Sequence, residues 1–211
     1  MGQRQTFLWH AAERLRYENH FGRIGLAGKP HAVIALTPFH SQAADVSLAR
    51  AAREGDRAAF GALYERYKPM VHGILLTHVP YSDAEDLMQT VFIQAMQRLA
   101  SLREAEAFGG WLAAIARNLA SDYHRQRKNL VDINELPEPR SRTGHAYEAE
   151  AALDAIRRLP EAYRETLMLR LVEGMTGPEI ASRTGLTPDS VRVNLCRGMK
   201  LLRAQLGGNH E

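Results

Sequence analysis

The 211 residues carry 27 Lys and Arg against 24 Asp and Glu, a net charge of +3, and are 45% hydrophobic and 24% charged. That is ordinary globular composition at a length suited to one or two domains, which excludes wholesale disorder and a large multidomain assembly. A single cysteine, Cys196, excludes an internal disulfide and a multi-Cys zinc site and fits a reducing cytoplasm.

The apolar residues include 30 Ala and 25 Leu against 9 Val and 8 Ile, a choice that favours helix over sheet and predicts an all-α fold. No apolar run approaches the roughly 18 residues of a membrane span, and the first thirty residues lack a signal-peptide core, so a cytoplasmic protein without membrane insertion is expected. Residues 1–42 are broken by Gly22, Gly25, Gly28, Pro30 and Pro38 and read as a poorly ordered N-terminal extension, with room for one brief helix near Phe7 to Tyr17.

From Asp45 onward the apolar spacing becomes helical. Asp56 is placed to cap a helix carrying Phe60, Leu63, Tyr64 and Tyr67, which Pro69 should kink or divide. Ser82-Asp83-Ala84-Glu85 has the form of a capping box with Ser82 as N-cap. It opens a helix whose stripe is Leu87, Val91, Ala95 and Leu99, widened by Met88 and Phe92; the opposite side carries Asp83, Asp86, Gln89, Gln94 and Gln97. Trp111, Leu112, Ile115 and Leu119 mark another helix, which ends among the cations of residues 123–128. Residues 43–128 thus form one helical domain.

Pro137, Pro139 and Gly144 among charged residues break the periodicity across 129–149, which is predicted to be a flexible linker to a second helical domain over 150–207. In that domain Pro160 sits in the first turn of a helix holding Tyr163, Leu167, Leu169 and Leu171. Thr176-Gly177-Pro178-Glu179 is a second capping box, Gly185 stops the short helix it starts, and Thr187-Pro188-Asp189-Ser190 starts the next. With Ala181 as the small residue at the crossing, this is helix-turn-helix spacing.

The last helix carries Arg192, Arg197, Lys200 and Arg203 with no acid after Asp189, a pattern that neutralises phosphates and presents N-terminal side chains to base edges; the plain alternative is a solvated basic face. The 111–128 helix is a second basic, amide-bearing surface, with Arg117, Asn118, Ser121, Arg125, Arg127 and Lys128 beside Phe108, Trp111 and Tyr123, of which Phe108 and Trp111 read better as core. The Asp83 to Gln97 face is acidic and amide-rich, so it repels DNA and reads equally well as a protein-docking face or as an ordinary solvated one. His72, His78, Asp83 and Asp86 do not keep the spacing of a metal set, and neither a nucleophile with its base nor a cofactor loop is present, so no enzyme activity, catalytic residue, metal or cofactor is expected.

Asp83-Ala84-Glu85-Asp86-Leu87-Met88-Gln89 with Val91-Phe92, then Phe108, Trp111-Leu112 and Ile115-Ala116-Arg117-Asn118-Leu119-Ala120, resemble the second conserved region of bacterial RNA polymerase sigma factors of the extracytoplasmic-function (ECF) group. The stretch from Leu159-Pro160-Glu161 to Leu206 resembles their fourth region, so the likeness covers about 150 residues and omits the N-terminal extension. The resemblance implies a sigma factor that binds core RNA polymerase through Asp83, Asp86 and Gln89. It would melt and read the −10 promoter element with Arg117, Asn118, Ser121, Tyr123, Arg125, Arg127 and Lys128. It would read the −35 element with Ser190, Arg192, Val193, Asn194, Arg197 and Lys200. An anti-sigma factor is expected as a partner on the same ground.

The chain departs from the family pattern at Thr90, Val193, Asn194 and Cys196, and Gly109-Gly110 suggests a more flexible base-capturing loop. The rival reading is a free-standing helix-turn-helix regulator whose first domain senses a ligand or dimerises.

Overall fold

The computed structural model describes residues 42–131 and 144–207; most of the extension, its brief helix, and residues 132–143 of the expected linker lie outside the described residues. Every regular element among the described residues is helical. The helices are α1 (Gln42–Arg53), α2 (Arg57–Leu75), α3 (Tyr81–Arg98), α4 (Phe108–Val131), α5 (Gly144–Arg157), α6 (Glu161–Leu171), α7 (Gly177–Thr184) and α8 (Pro188–Gly207), with two single 3₁₀ turns between α3 and α4.

Helices α1 to α4 form the first bundle. Asp56 caps α2 by accepting from the backbone N–H groups of Ala58 and Ala59 at 2.8 and 3.0 Å. Leu63, Met70, Ile74, Met88, Phe108 and Leu112 are sealed between the helices. Burying six such side chains contributes on the order of 10 kcal/mol before the entropy cost. Beneath α1, Asp45 binds Arg66 at 2.5 Å and accepts from the Tyr67 hydroxyl at 3.1 Å, so its buried carboxylate is paired and hydrogen-bonded. Burial and the Asp45 carboxylate both push the Tyr67 hydroxyl well above its ordinary range, so it stays a donor.

Two helix starts differ from expectation, and of the two outcomes expected at Pro69, a kink or a division, the second is excluded. Pro69 does not divide α2, which runs unbroken from Arg57 to Leu75; tight packing of Met70 to Leu75 on both sides holds the last turns in place. The α3 helix starts one residue before the expected box. Pro80 is its N-cap, Tyr81 packs edge-on against the His72 ring at 5.8 Å, and the Ser82 hydroxyl donates to Asp83 at 2.6 Å instead of capping. Pro160 is likewise the N-cap of α6 and not a first-turn residue.

Gly109 and Gly110 do not form a loop either. They occupy the first turn of α4, pressed against the end of α7: a Cβ on Gly109 would lie 2.4 Å from the Arg183 carbonyl oxygen. Only a residue without a side chain lets the two backbones approach this closely.

Helices α5 to α8 form the second bundle. The Thr176 to Glu179 box closes in both directions, Glu179 accepting from the Thr176 N–H at 2.8 Å. Gly185 ends α7 in the left-handed region at φ +78°, and the Ser190 N–H donates to Thr187 at the start of α8. Val191 and Leu202 are buried, and Gly198 lets α8 lie close on Leu167 and Tyr163 of α6. The two bundles share one continuous apolar core, with α6 and α7 packed against α2 and α4.

Candidate nucleic-acid interface

The expected DNA-reading helix of the second bundle is presented as the spacing predicts. With Val191, Gly198 and Leu202 turned inward, the outer side of α8 exposes Ser190, Arg192, Cys196, Arg197, Lys200 and Arg203, while Val193 and Asn194 are half-buried at its margins. The Ser190 hydroxyl lies 2.7 Å from that of Thr187, so it is partly engaged in starting the helix. Arg192 reaches Asp189 at 3.4 Å, but both side chains are almost fully in solvent, and such a pair yields readily to a phosphate or base.

The first bundle's candidates separate onto two sides of α4. At 100° per residue Arg117, Asn118, Ser121 and Arg125 fall on one side, and Tyr123 and Arg127 on the other. On the first side Asn118 and Ser121 are exposed, Arg125 pairs with Asp122, and Arg117 is held by Glu165 of α6. The Lys128 side chain lies outside the described residues.

On the second side the Tyr123 hydroxyl donates to Asp83 and accepts from Arg127 at 2.8 Å. This joins the expected −10 surface to the acidic start of α3, a link that sequence spacing of 40 residues gave no means to see. The Ser82 and Tyr123 hydroxyls lower the Asp83 carboxyl below its usual range, whereas burial and then the Asp83 bond raise the Tyr123 hydroxyl. Phe108 is buried against Tyr67 and Trp111, as a core aromatic.

On α3 Asp86 and Gln89 are exposed, and Thr90 bonds back to the Asp86 carbonyl. Two residues missing from the expected docking set continue this line. Ile93 and Met96 are 52% and 55% exposed, four and seven positions beyond Gln89, and give the polar face an apolar centre. Their i+4 and i+7 spacing was visible in the sequence, but they were indistinguishable there from extra core positions.

His72 and His78, raised above as metal candidates, point elsewhere. His72 bonds Glu173, and His78 lies 5.6 Å ring to ring from His124. Among the described residues no three metal-binding side chains stand together, and no helix is long and apolar enough to cross a membrane.

Comparison with known proteins matches residues 63–130 to Sigma-70 region 2 and residues 149–202 to Sigma-70, region 4. The RNA polymerase sigma factor CarQ of Myxococcus xanthus is 33% identical over 168 residues, covering 74% of this chain and 93% of CarQ. The ECF RNA polymerase sigma factor BldN of Streptomyces coelicolor is 29% identical over 168 residues, covering 74% of this chain but only 64% of BldN. Among solved structures, CnrH in complex with the cytosolic domain of CnrY superimposes with a TM-score of 0.58 at 26% identity, over 79% of this chain and 99% of that one.

Proposed function

The chain belongs to the sigma-70 family of RNA polymerase sigma factors, in the ECF group, and from that premise we propose that it binds core RNA polymerase in the cytoplasm and directs it to promoters, without catalysis of its own. The observation that carries this reading is the occurrence of two independent regions in family order, one ending in a basic α4 and the other in a basic, outward-facing α8.

We assign polymerase docking to Asp86 and Gln89, with Asp83 at the edge of that face and Ile93 and Met96 as its apolar centre. Charged and amide groups would orient the contact and exclude DNA, while the two apolar side chains supply most of the buried area. The −10 element falls to the Asn118, Ser121 and Arg125 side of α4, where a cation can hold the backbone while a base is turned out of the stack. Arg117 and Lys128 continue this side; Tyr123 and Arg127, behind it, fix the helix to α3 and bear on DNA only when the Asp83 bond opens. The −35 element is read by α8, Arg192 and Asn194 near its start reaching base edges and Arg197 and Lys200 holding phosphates.

CnrH is seen in complex with another protein's cytosolic domain, and by analogy we expect an anti-sigma partner for this chain. Run-off transcription by core polymerase on genomic fragments, with and without the protein, tests the whole reading. A new discrete transcript is expected. Promoter binding without any polymerase, and no transcript with it, would make the chain a free-standing regulator instead.

A further inference from the structure

The start of α8 carries a residue to which a basic, phosphate-holding helix gives no role. Asp189, in the first turn, is the one acid in the sequence of α8 and stands beside Arg192, Arg197, Lys200 and Arg203. A carboxylate facing DNA is pushed away by phosphates, so it subtracts from the affinity that the cations supply. Starting the helix does not depend on it. Thr187 accepts from the Ser190 N–H at 3.2 Å and its hydroxyl lies 2.7 Å from that of Ser190, so the cap is made by those two residues and Asp189 only adds to the favourable dipole.

Its place on the helix is central. At about 100° per residue, Asp189, Val193, Cys196 and Lys200 follow one another along the middle of the outer side, opposite the buried Val191, Gly198 and Leu202. Arg192 and Arg203 border this row on one side and Arg197 on the other. A helix laid in the major groove turns its middle row to base edges and its borders to the two phosphate walls. Val193 is apolar and the Cys196 thiol is a weak hydrogen-bonding group, so over the first two turns of the row the hydrogen bonding falls to Asp189.

The carboxylate does not face the groove alone. Arg192 Nη2 lies 3.4 Å from Asp189 Oδ1, and the second oxygen of Asp189 has no partner among the described residues. In water this exposed pair contributes little. In the groove the guanidinium offsets the cost of taking the carboxylate out of water, and the pair sets an acceptor beside donors. The four bases answer such an acceptor differently. Cytosine offers its amino group; adenine offers one flanked by the N7 acceptor; guanine and thymine present acceptors there and repel a carboxylate.

Resting on the promoter reading above, we infer that Asp189 is a specificity-determining residue of the −35 contact, accepting from the exocyclic amino group of a cytosine while Arg192 donates to a neighbouring base. Its order of preference at that position is cytosine, then adenine, with guanine and thymine rejected. The acid gives up general affinity for DNA and supplies selectivity that the cations of α8 do not.

The test uses the full chain assembled with core polymerase on a promoter fragment mapped by run-off transcription, with each −35 position varied through all four bases and binding measured by competition. One position should favour cytosine over guanine or thymine by about five-fold or more, the equivalent of a base contact of at least about 1 kcal/mol. Asp189→Ala should bring the four bases within about two-fold there, chiefly by tighter binding of guanine and thymine, and leave the other positions unchanged. In Asp189→Asn the side-chain amide matches adenine N6 and N7, so the preference should move from cytosine to adenine. A residue that only serves the helix start would not produce that exchange.

Unchanged preferences in Asp189→Ala overturn the inference. So does a loss confined to the position that Arg192→Ala also loses, with no move to adenine in Asp189→Asn, since Asp189 would then act only through Arg192. A wild-type protein that yields no transcript and no holoenzyme on any fragment removes the promoter reading itself.

Discussion

Gly185 offers a clean separation of backbone cost from packing cost at the turn that aims α8. Its φ of +78° lies in the left-handed region, and its N–H donates to the Ala181 carbonyl at 3.2 Å, ending α7. A Cβ added there would meet the Gly110 Cα at 3.5 Å, an ordinary contact, so Gly185→Ala creates no overlap. What it does create is a left-handed alanine, at about 1 to 2 kcal/mol. Stiffening of the unfolded chain returns roughly 0.4 to 1 kcal/mol. The net loss is therefore about 1 kcal/mol, a melting-temperature drop of about 2 to 4 °C for a body of this size.

Asparagine tolerates the left-handed region, so Gly185→Asn should recover most of that loss despite its greater bulk. Thermal or urea unfolding of the three proteins, followed by circular dichroism, reads the order Gly, Asn, Ala. An order in which asparagine is worse than alanine would mean that room beside Gly110 sets the cost, and would refute the conformational argument.

The remaining expectations bear on function and pH. Asp86→Arg should weaken binding to core polymerase in a pull-down while changing stability by no more than about 0.5 kcal/mol, since the side chain is exposed; unimpaired holoenzyme assembly would remove Asp86 from the docking face. Arg192→Ala should cost roughly 1 to 3 kcal/mol of discrimination at one −35 position if the contact is bidentate to a base, measured by holoenzyme binding to single-base variants. Equal weakening on every sequence would instead make it a phosphate contact.

Burial, then Arg164 and His124, lower the His78 imidazole below its ordinary 6.5, so the folded chain binds fewer protons there than the unfolded one. Stability should be unaffected by this group above that range, fall as pH drops through 6.5, and level off once pH passes the lowered value. His78→Asn should flatten that slope in urea titrations between about pH 5 and 8; an unchanged slope would assign it to other groups.

Most of the local structure could be read in advance because the signals are short-range. Asp56, Thr176 and Thr187 cap within three residues, Gly185 needs only its own φ, and the stripes of α3 and α8 repeat at three and four. The errors lie where a distant partner decided a local choice. Tyr81 starts α3 early because the His72 ring is there to receive it. Ile93 and Met96 look like core in a helical repeat until the fold leaves their side of α3 uncovered.

The contact between the bundles was illegible for a deeper reason. Two of its parts have an adequate local meaning: Gly109-Gly110 reads as flexibility and Arg117 as a DNA contact. Only their conjunction gives a different sense, since a glycine that a Cβ would drive into a carbonyl of another domain is a glycine shaped by that domain. Flexibility at positions 109 and 110 would be useful to base capture and indifferent to what stands opposite; close approach is neither. The two accounts part at Gly109→Ala, which would barely disturb a loop but must push α7 away from the first turn of α4.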